Sequence, residues 1–161
     1  MEKHLANSPF ILGQKPSSSD FAIFGQLTQL IGFDPTSRNI AHEISKRTVA
    51  WINSMEDLSG LKTENNEWFD VDSIPNSLKE LFTEVGKVYV PALIANAEAL
   101  EKGDETWETK IDDIAWSQKA FPYQAKCLKW IKEEFESLSE VDKVKVLEIL
   151  DGSGCEKLLK S

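Results

Sequence analysis

Few residues in this chain of 161 are of the types that do chemistry on their own, and they are scattered. Two histidines, His4 and His42, and two cysteines, Cys127 and Cys155, form no pattern typical of a zinc or redox site. We therefore predict no metal site and no resident cofactor. Cys127 falls on an apolar helical stripe, so we expect it to be buried, whereas Cys155, near the terminus, is expected to be more exposed.

A hydroxyl and a carboxylate, those of Ser17 and Asp20, stand three residues apart. They could form a catalytic pair, but no histidine adjoins them that would activate the hydroxyl. The same spacing predicts a capping box, in which Ser17 accepts from the backbone N–H of Asp20 and the Asp20 carboxylate accepts from that of Ser17. Pro16 and Phe21 occupy the positions of a hydrophobic staple around it. We favour the cap and predict no catalytic residue in the chain.

Hydrophobic residues at spacings of three and four predict a mostly α-helical bundle with one small β-hairpin. The predicted elements are a helix from Ser17 to Ile31, helical structure from Asp34 to Met55 in one or two pieces, a surface loop over 61–73, a long helix from about Pro75 to Lys102, a hairpin over 106–118 and two closing helices. Pro91 should kink the long helix near Lys87. The second closing helix begins with a further Ser-x-x-Asp cap, Ser139 to Asp142.

Side chains on the apolar stripes are expected to be buried. They are Phe21, Phe24, Leu27 and Ile31 in the first helix; Ile40, Ile44, Val49, Ile52 and Met55 in the next; Leu78, Leu81, Phe82, Val85, Val88, Tyr89, Leu93 and Leu100 in the long helix; and Cys127, Trp130, Ile131, Phe135, Leu138, Val141, Val144, Leu147 and Leu150 in the closing pair. Gly25 lies inside the first helix. Because a glycine there costs about 1 kcal/mol relative to alanine, we expect another backbone to pack closely against it.

The hairpin prediction specifies a register around a turn at Asp112-Asp113. The opposed pairs are Ile111 with Ile114, Thr109 with Trp116 and Trp107 with Gln118, and all six side chains share one face. Asp-Asp is a weaker turn signal than Asp-Gly.

Composition limits the classes of partner. The net charge is −9, which disfavours binding to a phosphate backbone, so we predict no nucleic-acid partner. No segment approaches the roughly 18 consecutive apolar residues of a membrane helix, and the N-terminus has no secretory pattern. We expect a cytoplasmic protein with reduced thiols and no membrane partner.

One segment resembles a known family. Residues 9–30, PFILGQKPSSSDFAIFGQLTQL, resemble the centre of the C-terminal helical domain of glutathione S-transferases. In that family an apolar run ends in Leu-Gly, and Pro and Ser/Thr-x-x-Asp then open the most buried helix. The matching features here are Leu12-Gly13, Pro16, Ser17 and Asp20. Asp34-Pro35-Thr36 and residues 49–55 are similar to the next helices. From about residue 75 the chain resembles the C-terminal extension of a bacterial subgroup, best over residues 123–128.

The resemblance implies one domain, with family-matching helices over 1–60 and a C-terminal extension over 61–161. The resemblance also implies that this chain departs from the family. Family members begin with a thioredoxin-like domain that binds glutathione and stabilises the glutathione thiolate, and the first helices of the helical domain follow it. Since only 16 residues precede the capping box, we expect both of these parts to be absent from this chain. No catalytic residue can therefore be carried over.

Two functions follow from the resemblance. In the first, the chain lines the electrophile site of a glutathione transferase, with glutathione as co-substrate only when the thioredoxin-like domain is present. Tyr89 and Asn96, seven residues apart on one face of the long helix, are then candidates to bind substrate. Alternatively, Tyr89 packs in the core and Asn96 is exposed or locally bonded. In the second function, the chain is a non-catalytic module for protein–protein interaction. In either function, apolar surface left uncovered by the absent parts is expected to bind a thioredoxin-like partner domain or a second copy.

Overall fold

Helices account for most of the chain, as the hydrophobic spacing predicts. The computed structural model describes residues 1–62 and 67–159. Residues 63–66, in the predicted surface loop, lie outside the described residues. The chain divides into two units, Met1–Leu78 and Lys79–Ser161, each with an apolar core of its own. Among the described residues, no helix combines the length and the apolar character needed to cross a membrane.

The first unit is built from three short helices. Its elements are a 3-10 turn over His4–Ala6, α1 over Ser18–Leu27, a π-helical turn over Thr28–Phe33, α2 over Pro35–Ile44, α3 over Lys46–Met55 and a 3-10 turn over Val71–Ser73. The Thr28 hydroxyl donates to the Phe24 carbonyl (2.7 Å), a side-chain bond of the kind that loosens a helical turn. Ser45 separates α2 from α3, so the helical stretch predicted to end at Met55 is in two pieces.

Five buried apolar side chains form the core of this unit: Phe10, Ile31, Trp51, Ile52 and Met55. Trp51 also donates its indole N–H to the Pro9 carbonyl (3.0 Å), which holds the loop before α1 on α3. His4 is 1% exposed, and its ring nitrogens lie 3.0 Å from Ser77 Oγ and 3.2 Å from the Phe10 carbonyl oxygen. His4 is therefore a core histidine whose polar atoms are satisfied.

Three side chains expected in this core are exposed instead: Phe21 by 54%, Ile40 by 51% and Ile44 by 70%. Helix α1 packs against the core through Ile23, Phe24 and Leu27. Phe21 lies outside that face. Helix α2 buries none of its side chains, because it packs mainly against the π-turn and α3 on one side. The apolar stripe predicted for α2 is therefore present in the sequence, but its side chains Ile40 and Ile44 are not buried by any described residue.

The second unit is organised by α4, which spans Asn76–Lys102 and contains Pro91. The elements that follow are β1 over Thr106–Ile111, β2 over Ile114–Lys119, α5 over Pro122–Ser137, α6 over Glu140–Leu150 and a 3-10 turn over Cys155–Leu158, the C-terminal turn. The core side chains are Val90, Leu93, Leu128, Cys155 and Leu158. The kink expected near Lys87 stays a prediction.

The hairpin has the predicted register, in which Ile111 pairs with Ile114 and Trp107 pairs with Gln118. Asp112 and Asp113 have φ values of 52° and 64°, as a type I′ turn requires. Trp107 is 3% exposed and anchors the inner strand, whereas every residue of β2 is exposed.

The buried stripe of α4 passes through Gly86, a residue that the stripe prediction left out. A Cβ at this position would lie 1.9 Å from the Ser153 carbonyl oxygen and 3.0 Å from the backbone nitrogen of Cys155. The backbone that leads into the C-terminal turn thus crosses α4 at Gly86. This crossing shifts the buried stripe, so three side chains predicted to be buried are exposed: Val85 by 41%, Val88 by 44% and Tyr89 by 43%.

The closing helices are also more exposed than predicted. The exposed fractions are 43% for Trp130, 37% for Leu138, 69% for Val141, 54% for Val144 and 39% for Leu147. Helix α6 packs mainly against the C-terminal turn, which leaves much of its apolar surface open. Its cap is confirmed, since the backbone N–H of Asp142 donates to Ser139 Oγ (3.2 Å).

The predicted order of cysteine exposure is wrong. Cys155 is 6% exposed, whereas Cys127 is only half-buried. The C-terminal turn folds back on α4, so that the Cys155 thiol donates to the Phe82 carbonyl (3.2 Å). Burial raises the pKa of this thiol.

Candidate functional site

Ser17 and Asp20 form the predicted capping box at the start of α1. Asp20 has no exposed surface, and its Oδ2 accepts from the Ser17 N–H (2.9 Å) and the Ser17 hydroxyl (2.6 Å). The other oxygen, Oδ1, accepts from the Ile11 N–H (2.8 Å), a contact that the spacing alone did not reveal. One carboxylate therefore fixes both the start of the helix and the apolar run before it.

Backbone geometry explains why a glycine follows Leu12 in the segment that resembles the family. Gly13 has φ of +139°, and a Cβ there would lie 2.7 Å from the Glu67 carbonyl oxygen. The residues on either side of Gly13 both form backbone hydrogen bonds with the extended segment over residues 67–69. The Phe69 N–H donates to the Leu12 carbonyl (2.7 Å), and the Gln14 N–H donates to the Glu67 carbonyl (2.9 Å). Only glycine allows this approach at this backbone angle.

Asn96 is fully buried and binds backbone far away in sequence. Its amide nitrogen donates to the Phe121 carbonyl (3.0 Å), and its amide oxygen accepts from the Phe121 N–H (2.7 Å). Asn96 is thus neither exposed nor locally bonded. Its amide pairs with both polar groups of one residue, as a neighbouring strand would, and holds the start of α5 on α4.

Tyr89 has a different environment, although it lies seven residues from Asn96 on the same helix. Burial raises the pKa of its phenol, and the neighbouring Cys127 thiol raises it further. Two exposed aromatic residues, Tyr123 and Trp130, stand four residues before and three residues after Cys127 on α5. They meet edge to face with 6.1 Å between ring centroids. Tyr89 therefore offers a phenol that can donate a hydrogen bond near Cys127 of α5, the helix that also carries this aromatic pair.

The first unit presents a helical surface without charge. From residue 21 to residue 33 the sequence FAIFGQLTQLIGF contains no Asp, Glu, Lys, Arg or His. The exposed members of this segment, here called the uncharged face, are Phe21, Ala22, Gly25, Gln26, Gln29, Leu30, Gly32 and Phe33. Leu30 is 48% exposed and Phe33 is 73% exposed. Solvent-facing sides of helices ordinarily carry charged or strongly polar residues, so this face is unusual for a free surface.

Gly25 lies within the uncharged face. The close backbone neighbour expected for it is not found among the described residues, none of which has an atom within 4 Å of a Cβ placed there. Gly32 is equally open. The backbone of α1 is therefore accessible to a closely packing neighbour.

Within residues 1–62 and 67–159, no three His, Cys, Asp or Glu side chains are grouped as metal ligands would be. Comparison of the chain with protein-family models, with curated proteins and with solved structures finds no match. Any assignment of function therefore depends on the residues and their geometry.

Proposed function

We propose that this chain is the electrophile-binding helical domain of a glutathione-transferase-like protein. It functions when a partner segment covers its uncharged face. That segment comprises a glutathione-binding, thioredoxin-like domain and the helices that follow it in the family. The observation that carries the proposal is the exposure of α1. The resemblance makes the helix opened by Ser17 and Asp20 the most buried of its family, yet here α1 exposes Phe21 and the π-helical turn after it exposes Leu30 and Phe33.

The energetics of the uncharged face favour a protein partner. Burying one Phe or Leu side chain contributes about 1.5–3 kcal/mol, and this face offers three of them. Ion desolvation, which opposes the burial of charged surfaces, does not arise here because the segment has no charged side chain. A partner helix that packed at Gly25 would also approach the α1 backbone closely. These gains must exceed the cost of association.

In the second unit, Tyr89 is the residue that we assign to the electrophile. In the reaction, the glutathione thiolate attacks an electrophilic carbon, a new S–C bond forms, and the leaving group departs with its bonding electrons. The thiolate belongs to the partner segment in this proposal. A phenol already keeps its proton at neutral pH, and the raised pKa of Tyr89 favours the protonated form further, so this side chain can donate a hydrogen bond that orients the electrophile.

Reconstitution tests the proposal. A tagged form of the chain is purified from the organism that encodes it, and proteins that co-purify are identified alongside the coding sequence upstream of Met1. Conjugation of glutathione to 1-chloro-2,4-dinitrobenzene is then assayed with each component alone and with both. We expect activity only from the combination, reduced at least about tenfold by Leu30→Glu. The exposed α2 variant Asn39→Glu, outside the uncharged face, should retain it. A thioredoxin-like partner that bound wild type and Leu30→Glu equally, or the absence of any such partner, would overturn the proposal.

The same face also favours the second candidate, a non-catalytic interaction module. The occupant distinguishes the two functions. A co-purifying protein that has no thioredoxin-like domain, and that Leu30→Glu releases, supports the module and contradicts the enzyme.

A further inference from the structure

A cleft of about 480 Å³ lies in the second unit, where α4, α5 and the C-terminal turn meet. Its floor is apolar and consists of Ile94, Ala97 and Leu128, which belong to the core of this unit or pack against it. The volume is within the range of small-molecule sites, about 300–1,000 Å³. The uncharged face contributes no residue to this cleft.

The rim of the cleft carries two charges of each sign, and the two signs come from different elements. Glu98 and Glu101 lie on α4, whereas Lys132 lies on α5 and Lys157 on the C-terminal turn. Among the described residues, Glu98 pairs with Lys102 of its own helix at 3.7 Å. The other three rim residues make no ion pair with any described residue. The rim therefore has charged groups of both signs free to bind a ligand.

Helical spacing explains why floor and rim face the same space. Ile94, Ala97, Glu98 and Glu101 are related by steps of three, four and seven, so they share one side of α4. Lys132 follows Leu128 by four residues on α5. Its half-buried stem can lie along the apolar floor while its ammonium group stays at the rim. Each charged group thus borders an apolar surface at the cleft.

We propose that this cleft binds a small zwitterion with apolar side chains, of the amino-acid or short-peptide class. Its ammonium group would bind Glu98 and Glu101, its carboxylate would bind Lys132 and Lys157, and its side chains would cover Leu128. A simple anion would be attracted by the lysines and repelled by the glutamates, and a simple cation would meet the reverse. A ligand that carries both charges uses both halves of the rim.

Isothermal titration calorimetry of the full chain with L-leucyl-L-leucine tests the proposal. Two derivatives each remove one charge: the N-acetyl dipeptide lacks the ammonium group, and the dipeptide amide lacks the carboxylate. We expect saturable binding at one site, weakened at least about tenfold for each derivative. The absence of saturable binding at millimolar dipeptide, or equal binding of all three compounds, would overturn the proposal.

Two variants assign the charges to the two ends of the ligand. Lys132→Gln should weaken binding of the dipeptide about tenfold but should not weaken binding of its amide further. Glu101→Gln should show the reciprocal pattern with the N-acetyl form. Lys129→Gln, an exposed α5 lysine outside the cleft, should leave all three affinities unchanged. A uniform loss of affinity in Lys132→Gln would indicate general damage and contradict the assignment. Glutathione conjugation is not measured here, so the result is independent of the proposed function.

Discussion

One helix of each unit, α1 in the first and α4 in the second, contains an interior glycine, and the two glycines have opposite surroundings. At Gly86 of α4, the Ser153 carbonyl oxygen lies 1.9 Å from where a Cβ would be, whereas at Gly25 of α1 no described atom lies within 4 Å. Each glycine lowers helix stability by about 1 kcal/mol relative to alanine. In the second unit the close contact of the chain with itself offsets that cost, and in the first unit nothing described does. We infer that the α4 interface is complete within the chain and that the α1 face is complementary to another body.

The largest effect that would test this comparison is expected at Gly86. Gly86→Ala should destabilise the second unit by about 3 kcal/mol, because the added methyl group meets backbone that must move away. Urea unfolding of the variant measures the loss. Gly60→Ala, at an open position, is the control and should change stability by less than about 0.5 kcal/mol. A loss in Gly86→Ala no larger than in the control would show that the backbone crossing is loose.

Asp20 tests how firmly the start of α1 is held while its face remains open. Asp20→Ala should destabilise the first unit by about 2 kcal/mol, since it removes the acceptor of three buried donors. Ser17→Ala should also destabilise it. The double variant should lose less than the sum of the two, because the side chains complete one motif. Additive losses below about 0.3 kcal/mol in urea melts would contradict the structural role.

The open face should also affect association. In the absence of a partner segment, we expect the purified chain to self-associate in a concentration-dependent way through the uncharged face. Phe33→Glu should raise the dissociation constant at least about tenfold, or about 1.4 kcal/mol, by placing a charge in the contact. Analytical ultracentrifugation over a concentration series gives the constant, with Asn39→Glu as control. A monomer at every concentration is the result that this interpretation does not allow.

Gly25→Ala should change stability in the opposite direction to Gly86→Ala. In the free chain it should stabilise the first unit by about 0.5–1 kcal/mol, because alanine is the better helix former and the site is open. The same change should weaken association at the uncharged face. Destabilisation of the monomer in a thermal melt would mean that a close neighbour within the chain occupies the site.

Smaller effects should distinguish the two units by the pH range in which each loses stability. In the first unit, the backbone N–H of Arg47 lowers the pKa of the Glu2 carboxyl, and that of Ser37 lowers the pKa of Asp34 at the cap of α2. A lowered folded-state pKa contributes stability above the unfolded value, and this stability is lost as pH falls through the folded value. Acid should therefore loosen the first unit before the second.

Alkali should act on the second unit. Hydrogen bonds to Asp112 and Glu136 raise the pKa values of Lys87 and Lys143, respectively. A raised folded-state pKa contributes stability below the unfolded value, and this stability is lost as pH rises through the folded value. Hydrogen exchange resolved along the chain at low and high pH measures the loosening of each unit. Equal loosening of both units at either extreme would remove the distinction.

Local rules predicted the features that depend on neighbouring residues. The capping box at Ser17 and the N-cap at Ser139 follow from side chains that reach three residues along the chain. The hairpin register follows from the position of the Asp112-Asp113 turn and the alternation of the strands. The uncharged face also had a visible signal, since thirteen consecutive residues from 21 to 33 lack charge.

Features that depend on distant segments could not be predicted in the same way. The crossing at Gly86 and the burial of Cys155 require the C-terminal turn to fold back on α4, and no local pattern specifies that return. Apolar periodicity alone therefore placed Val85 and Val88 in the core. The rim of the cleft gathers charges from three elements, so its four residues stand out only once the chain is folded.

Because the Asn96 side chain binds the backbone of Phe121, the hairpin between these residues can be extended without separating the two ends of the segment that contains it. The amide binds both polar groups of Phe121, so the two ends of the intervening segment are held together independently of what lies between them. Lengthening a closed loop adds only about 0.6 kcal/mol of entropy cost for each doubling, and exposed tips tolerate insertion well. Because β2 is exposed along its whole length, a peptide epitope or a small domain could be grafted at the Asp112-Asp113 turn without moving the start of α5. The Trp107 side of the hairpin would have to be retained, since it is the anchored side.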